Sequence, residues 1–317
     1  MENSIISSAG SKHSRGEAFK RHLLKYKYAY LLLLPGLVHL ILFRYVPMFG
    51  IMIAFQKYSP FLGFWKSPWI GLEHFQNMFS YKETWIILRN TIILSALQIA
   101  FAFPAPIILS LILNELKDGL FKRLSQSILY LPHFLSWVIV VGIVLILLRS
   151  DGFLNLLLQQ LFHTEAIPIL TSEGWFRPLI VAEVIWKEVG WGTIIFLAAL
   201  SAVSPELYEA STIDGAGRFR KMWHVTLPGI RGVIVILLIL KLGDVLDTGF
   251  EQSFLQMNSS NASVARTIDI YVFEQSIGGG GQYSFTTAVN LLKNIAGLIL
   301  IWSSNRIAKK LGHNGIF

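Results

Sequence analysis

The chain reads as an all-α integral membrane protein of six transmembrane helices, and three observations predict this. Of its 317 residues, 53% are hydrophobic and only 15% are charged, against roughly 25% charged in soluble domains. The mean hydropathy is +0.55. The apolar residues come in long blocks, not at the amphipathic spacing of a soluble helical core, and six blocks reach about the 20 residues that a bilayer span needs.

The first block runs from about Tyr28 to Phe49 and holds Pro35, His39 and Arg44. The second, about Trp85 to Leu113, contains Asn90, Gln98, Pro104 and Pro106. The third, about Ile128 to Leu148, is the most uniformly apolar. The fourth, about Pro178 to Leu200, carries Glu183, Lys187 and Glu188. The fifth, about Gly232 to Met257, carries Lys241, Asp244, Asp247 and Glu251. The sixth, about Thr286 to Ser304, holds Asn290, Lys293 and Asn294.

An even number of spans puts both termini on one side, and the Lys/Arg distribution selects the side. Residues 1–27 hold six Lys/Arg, 114–127 three, 201–231 four and 306–317 three, sixteen in all, against six in the outer segments, about 50–84, 149–177 and 258–285. Both termini are therefore expected in the cytoplasm. The same asymmetry accounts for the net charge of +8 without a nucleic-acid partner. Residues 1–27 form a polar, basic cytoplasmic tail without a cleavable signal, of which 1–20 are expected to be mobile. Residues 28–84 hold the first span and an outer segment, 85–305 the five-helix core and 306–317 a cytoplasmic C-terminal tail. The other long outer segments are about 149–177 and 258–285; the last contains Gly278-Gly279-Gly280-Gly281 and reads as a flexible loop.

The longest inner loop carries the function. Over 204–228 it begins Ser204-Pro205-Glu206: a good N-cap, a proline suited to the first helical turn and an acid at the positive helix end. A short helix should run to about Ile213. Asp214-Gly215 is a turn signal, with Gly free to take φ > 0. A second helix is expected from about Ala216 to Val225, stopped by Pro228.

Glu209-Ala210-Ser211, Gly215 after three intervening residues, then Val225, Leu227 and Pro228 resemble the EAA loop of permease subunits of binding-protein-dependent (type I) ABC importers. Ser211 stands for the pattern's second Ala and Val225 for its Ile. The likeness extends to Gly71-Leu72-Glu73-His74-Phe75, Asn90-Thr91 and Leu197-Ala198-Ala199-Leu200, and so covers essentially residues 28–312. Gly249-Phe250-Glu251-Gln252 and 267–272 resemble the branch importing oligomers of complex polysaccharides. The resemblance implies a bacterial inner-membrane permease whose cytoplasmic EAA loop docks on an ATPase through Glu209, Ala210, Ser211, Asp214, Gly215, Ala216, Trp223, Leu227 and Pro228. It also implies a second homologous permease, two ATPase subunits, an extracytoplasmic solute-binding protein and a carbohydrate substrate.

No Gly-x-x-x-x-Gly-Lys-Ser/Thr occurs, so ATP and its Mg are expected on the partner ATPases and this chain is expected to bind no cofactor and catalyse nothing. The chain has no cysteine, which excludes disulfides, thiolate metal sites and cysteine nucleophiles. Its eight His are scattered without metal-ligand spacing. Ionisable groups inside a span face a cavity or one another. Glu183 with Lys187, and Lys241 with Asp244, have helical spacing for internal pairs. Glu183, Trp186, Lys187, Asp244, Asp247 and Asn290 are the candidates for the substrate path, Trp186 for stacking on a sugar face. An ion-coupled secondary transporter would use the same carboxylates but shows as paired repeats, which are absent from this sequence; an intramembrane hydrolase would need a nucleophile–base pair.

Overall fold

The computed structural model describes residues 22, 24–163, 165–312 and 315–316; the expected mobile tail, 1–20, lies outside them. Among the described residues the chain is helical, with one isolated antiparallel bridge between Gln56 and Trp69. Five stretches are long and apolar enough to span a bilayer: Lys27–Phe55, Lys82–Glu115, Trp137–Phe162, Arg218–Gly243 and Tyr283–Lys310. The block expected as the fourth span lies within Glu173–Ser201, a helix of 29 residues that extends about 43 Å and carries Glu183, Lys187 and Glu188; it is not among those five.

Two units are distinguished, 1–53 and 54–317. The first holds helix α1 (Lys27–Leu40) and the π turn Ile41–Tyr45. The second begins with α2 (Glu73–Ser80) and α3 (Lys82–Leu97), then a π turn over Gln98–Ala102 and α4 (Pro104–Glu115). Next come α5 (Leu120–Tyr130), α6 (Trp137–Leu148), α7 (Phe153–Phe162) and α8 (Glu173–Ser201). Helix α9 (Pro205–Ile213) leads to a helical turn at Arg218–Lys221, a π turn over Met222–Thr226 and α10 (Leu227–Gly243). The chain ends with α11 (Phe250–Gln256), α12 (Ile268–Gln275) and α13 (Tyr283–Lys310). Helix α13 thus runs five residues into the segment expected to be a tail.

Helix α8 is the spine. At its loop end Phe196 and Leu200 pack with Ile107 of α4 and Ile230 of α10. At its far end Phe176, Ile180 and Val181 pack with Leu94 of α3 and with Ala265. A separate cluster of Met78, Ile87, Ile268, Tyr271, Phe285 and Val289 joins α2, α3, α12 and α13. At Gly190 α8 meets the α5 backbone so closely that a Cβ there would collide with the Leu129 carbonyl oxygen.

Two expected spans are broken. The block 128–148 divides at a 3-10 turn over Leu131–Phe134, with Pro132 buried in it. The block 232–257 divides at Asp244–Gly249, where Gly249 has φ +85°. Backbone that leaves the helix inside a bilayer must find partners within the protein. The Val245 carbonyl accepts from Ser95 Oγ, and the Thr248 carbonyl accepts from Gln98 Nε2 at 3.1 Å. At the first break, the His133 carbonyl accepts from Lys187 Nζ at 2.8 Å.

The glycine run makes specific backbone contacts. Gly278 N–H donates to Phe273 O at 2.8 Å, Gln282 N–H donates to Gln275 O at 2.8 Å, and a Cβ on Gly280 would fall 2.5 Å from Gln275 O. The four small residues let the chain fold back on the end of α12.

Candidate functional site

The loop joining α8 to α10 forms a rigid knob. Helix α9 ends at Ile213, as expected, in a complete Schellman motif: Gly215 N–H donates to Thr212 O at 3.0 Å and Ala216 N–H to Ser211 O at 2.9 Å. Gly215 has φ +73°. Its conformation, not crowding within the chain, demands glycine, because a Cβ would meet nothing within 4 Å. Two hydrogen bonds brace α9 against the following helix: Tyr208 OH to Thr226 Oγ1 at 3.2 Å, and Lys221 Nζ to Thr212 Oγ1 at 2.7 Å.

The second helix does not end at Val225. It starts at Arg218 and runs through the π turn into α10. Pro228 lacks an N–H and would crowd the carbonyl four residues back in a regular helix. The chain instead widens one turn: Leu227 N–H bonds to Met222 O, five residues back, and Pro228 falls in the first turn of α10, where no N–H is needed.

Ile213, Phe219 and Trp223 are 87%, 86% and 68% exposed on this knob. Glu209, Ala210, Asp214 and Pro228 are exposed, and Ser211, Ala216 and Leu227 are half-buried. A notch of about 430 Å³ opens beside the turn, lined by Ser211, Asp214, Ala216, Arg220, His224 and neighbours. Three large apolar side chains ringed by charge on a braced element suit a surface made to be covered by a protein.

Within the spans the candidate residues separate into two groups. Glu183 and Lys187 are both buried, but they do not pair. Glu183 Oε2 accepts from Gln252 Nε2 and Gln256 Nε2, each at 2.7 Å, which ties α8 to α11. Lys187 turns to the other face, pairs with Glu188 Oε1 at 3.1 Å and lies 5.3 Å from the centre of the Trp137 ring. Glu188 Oε2 also meets His133 Nδ1 at 2.7 Å, and the His133 ring stacks on Trp191 at 4.5 Å. Lys241 and Asp244 do not pair either, because α10 stops at Gly243 and helical spacing is lost. Asp244 and Asp247 are exposed and border a cavity of about 360 Å³ with Lys293 and Asn294; Lys293 is paired with Asp269. Trp186 is half exposed and Asn290 half-buried.

Ser95, Gln98, Gln252, Gln256 and His133 were not expected as site residues. Asp244-Val245-Leu246-Asp247-Thr248-Gly249 is turn-rich for the middle of a span, and that signal marks the break whose carbonyls Ser95 and Gln98 serve.

The geometry defines a multi-pass helical membrane protein with a braced, partly apolar knob built between two of its spans. The chain belongs to the family of binding-protein-dependent transport system inner membrane components, whose family model matches residues 102–312. It is 51% identical over 295 residues to the polygalacturonan/rhamnogalacturonan transport system permease YteP of Bacillus subtilis, covering 93% of this chain and 92% of that one. It is 50% identical over 313 residues to LplB of the same organism, covering 98% and 96%. Among solved structures it resembles a chain of a bacterial ABC transporter involved in import of the acidic polysaccharide alginate, with TM-score 0.85, 32% identity and coverage of 92% and 99%. The same likeness holds for that transporter in complex with alginate pentasaccharide-bound periplasmic protein, at TM-score 0.85. The chain is therefore a non-catalytic permease subunit of an ABC importer, as the EAA resemblance implies.

Proposed function

We propose that this subunit, paired with a second homologous permease, forms the membrane path for an acidic oligosaccharide containing uronate units. An extracytoplasmic binding protein delivers the sugar. Two ATPase subunits, which hold the ATP and Mg, drive transport through residues 204–228. Both termini and that loop face the cytoplasm of a bacterial inner membrane, following the Lys/Arg asymmetry. The observation that carries the coupling role is the knob itself: Ile213, Phe219 and Trp223 exposed on two braced helices that continue directly from α8 and into α10. The uronate class rests on the polygalacturonan/rhamnogalacturonan permease and the alginate importer to which the chain is similar.

Inside the bilayer, partly exposed charge faces water or protein and not lipid. The His133–Glu188–Lys187 group with half-exposed Trp186 and Trp191 is the aromatic and polar wall best suited to sugar contact, and Asp244, Asp247 and Asn290 lie on the other candidate elements. One observation favours a neutral sugar instead: Asp244 and Asp247 both border the same cavity, and carboxylates there repel uronates. Proteoliposomes holding this chain, its second permease, the ATPases and the binding protein decide the matter. With ATP at the ATPase side they should accumulate tri-galacturonate in preference to maltotriose. Preference for maltotriose refutes the uronate class, and uptake driven by an ion gradient without ATP refutes ATPase coupling.

A further inference from the structure

A further cavity shares no lining residue with the knob notch or with the cavity at the charged break. It measures about 520 Å³ and opens at the end of the protein opposite the knob, between the segment after Gln56, helix α2 and the facing ends of α12 and α13. Its lining includes Tyr58, Tyr81, Tyr271, Tyr283, Lys57 and Gln282. The floor is preformed. Phe285, 6% exposed, is met edge-on by the rings of Tyr81, Tyr271 and His74 at 6.2, 6.3 and 6.4 Å. Tyr58 N–H donates to Ser284 Oγ at 2.9 Å and His74 Nε2 bonds to the Gln56 carbonyl at 3.1 Å, so the walls are pinned to one another. Burial pushes the Tyr271 phenol up from its ordinary value, which keeps it a neutral hydroxyl. Glu83 is committed to Arg266. Lys57 makes no ion pair among the described residues, which leaves it as the cavity's uncommitted charge.

Aromatic rings with hydroxyls and amides around them, in a preformed cavity of this size, are the lining a carbohydrate uses: ring faces for its C–H surfaces and polar groups for its hydroxyls. We infer that this outer cavity is a carbohydrate-binding vestibule, in which Tyr81 and Tyr283 contact one sugar ring and Lys57 receives a uronate carboxylate before the chain enters the membrane path. The inference rests on the carbohydrate reading above and adds a site that reading does not contain.

The chain has no cysteine, so a single Gln282→Cys reports on the cavity. Maleimide labelling is followed on the assembled transporter in nanodiscs without binding protein, with tri-galacturonate or maltotriose at millimolar concentration. Tri-galacturonate should slow labelling. Tyr81→Ala should raise the concentration giving half-protection about five- to tenfold, the loss of one aromatic contact, whereas Tyr81→Phe should nearly restore it. Lys57→Gln should weaken protection by tri-galacturonate but not by maltotriose. If neither sugar slows labelling, the vestibule is refuted. Uptake by proteoliposomes of the same preparation separates the two readings. Uptake without protection sinks the vestibule alone. Protection without any uptake of tri-galacturonate sinks the proposed cargo and leaves the site standing.

Discussion

Gly215 and Glu183 show how differently two residues in one permease are constrained. At Gly215 the constraint is a backbone angle, φ +73°, which costs an L-residue about 1–2 kcal/mol. Gly215→Val should therefore leave the membrane level normal but weaken co-purification of the ATPase and abolish uptake. Gly215→Asn, which tolerates the left-handed region, should retain both, because beyond the adjacent residues the added Cβ meets nothing within 4 Å. Failure of the Asn variant as well would show that the partner, and not the backbone angle, excludes a side chain. At Glu183 the constraint is a buried partner set. Glu183→Ala strips the Gln252 and Gln256 amides of their shared acceptor, and a buried unpaired group costs about 1–3 kcal/mol. The purified transporter should unfold at a lower temperature, and less so for Glu183→Gln. Equal unfolding temperatures for Glu183→Ala and wild type would refute a structural role for the pair of amides.

Helices in this chain are shaped by proline and by side chains that serve loose carbonyls. Among the described residues, each of the three π turns, Ile41–Tyr45, Gln98–Ala102 and Met222–Thr226, ends two residues before a proline: Pro47, Pro104 and Pro228. In each the residue preceding the proline bonds five residues back: Val46 to Ile41, Phe103 to Gln98 and Leu227 to Met222. Widening one turn removes the clash and the missing donor together. This is why the positions of the spans were legible in hydrophobic blocks but the end of the second coupling helix was not. Proline marks a disturbance, and sequence alone does not say whether the chain stops or widens. The limits of α9 were legible because cap, first-turn proline and Asp-Gly turn all agree. The turn-rich residues 244–249 carried a local signal of a break, but the groups that satisfy the two breaks were not legible, because Ser95, Gln98 and Lys187 lie far away in sequence. The pairing of Glu183 was misread for the same reason: helical spacing put Lys187 within reach, but Gln252 and Gln256 come from another helix. Gln98→Leu leaves the Thr248 carbonyl without its donor and should lower the unfolding temperature of the purified complex. An unchanged transition would mean that the break is held by other contacts.

At the scale of the whole molecule, orientation and close packing make separate claims. In intact cells Ser211→Cys should react only with a membrane-permeant thiol reagent, whereas Phe61→Cys, at a residue 99% exposed beyond the first span, should react with an impermeant one. Reversed labelling would invert the topology and remove the ATPase from the knob. Gly190→Ala places a methyl on the Leu129 carbonyl oxygen, whereas Gly142→Ala meets nothing within 4 Å. The first should deplete the folded protein in membranes, and the second should leave its level unchanged or raise it slightly, as Ala favours helix over Gly by about 1 kcal/mol. Equal membrane levels would refute close α5–α8 packing. The unbroken course from Arg218 to Gly243 has a mechanical meaning. Those 26 residues form a rod about 39 Å long, with Trp223 near one end and the break at Asp244–Gly249 at the other, where Ser95 and Gln98 hold the loose carbonyls. Under the proposed coupling, a tilt of about 5° at the Trp223 end sweeps the far end through about 3 Å. The knob is then the short handle of a long lever, and its tip bears on the segment that carries Ser95 and Gln98.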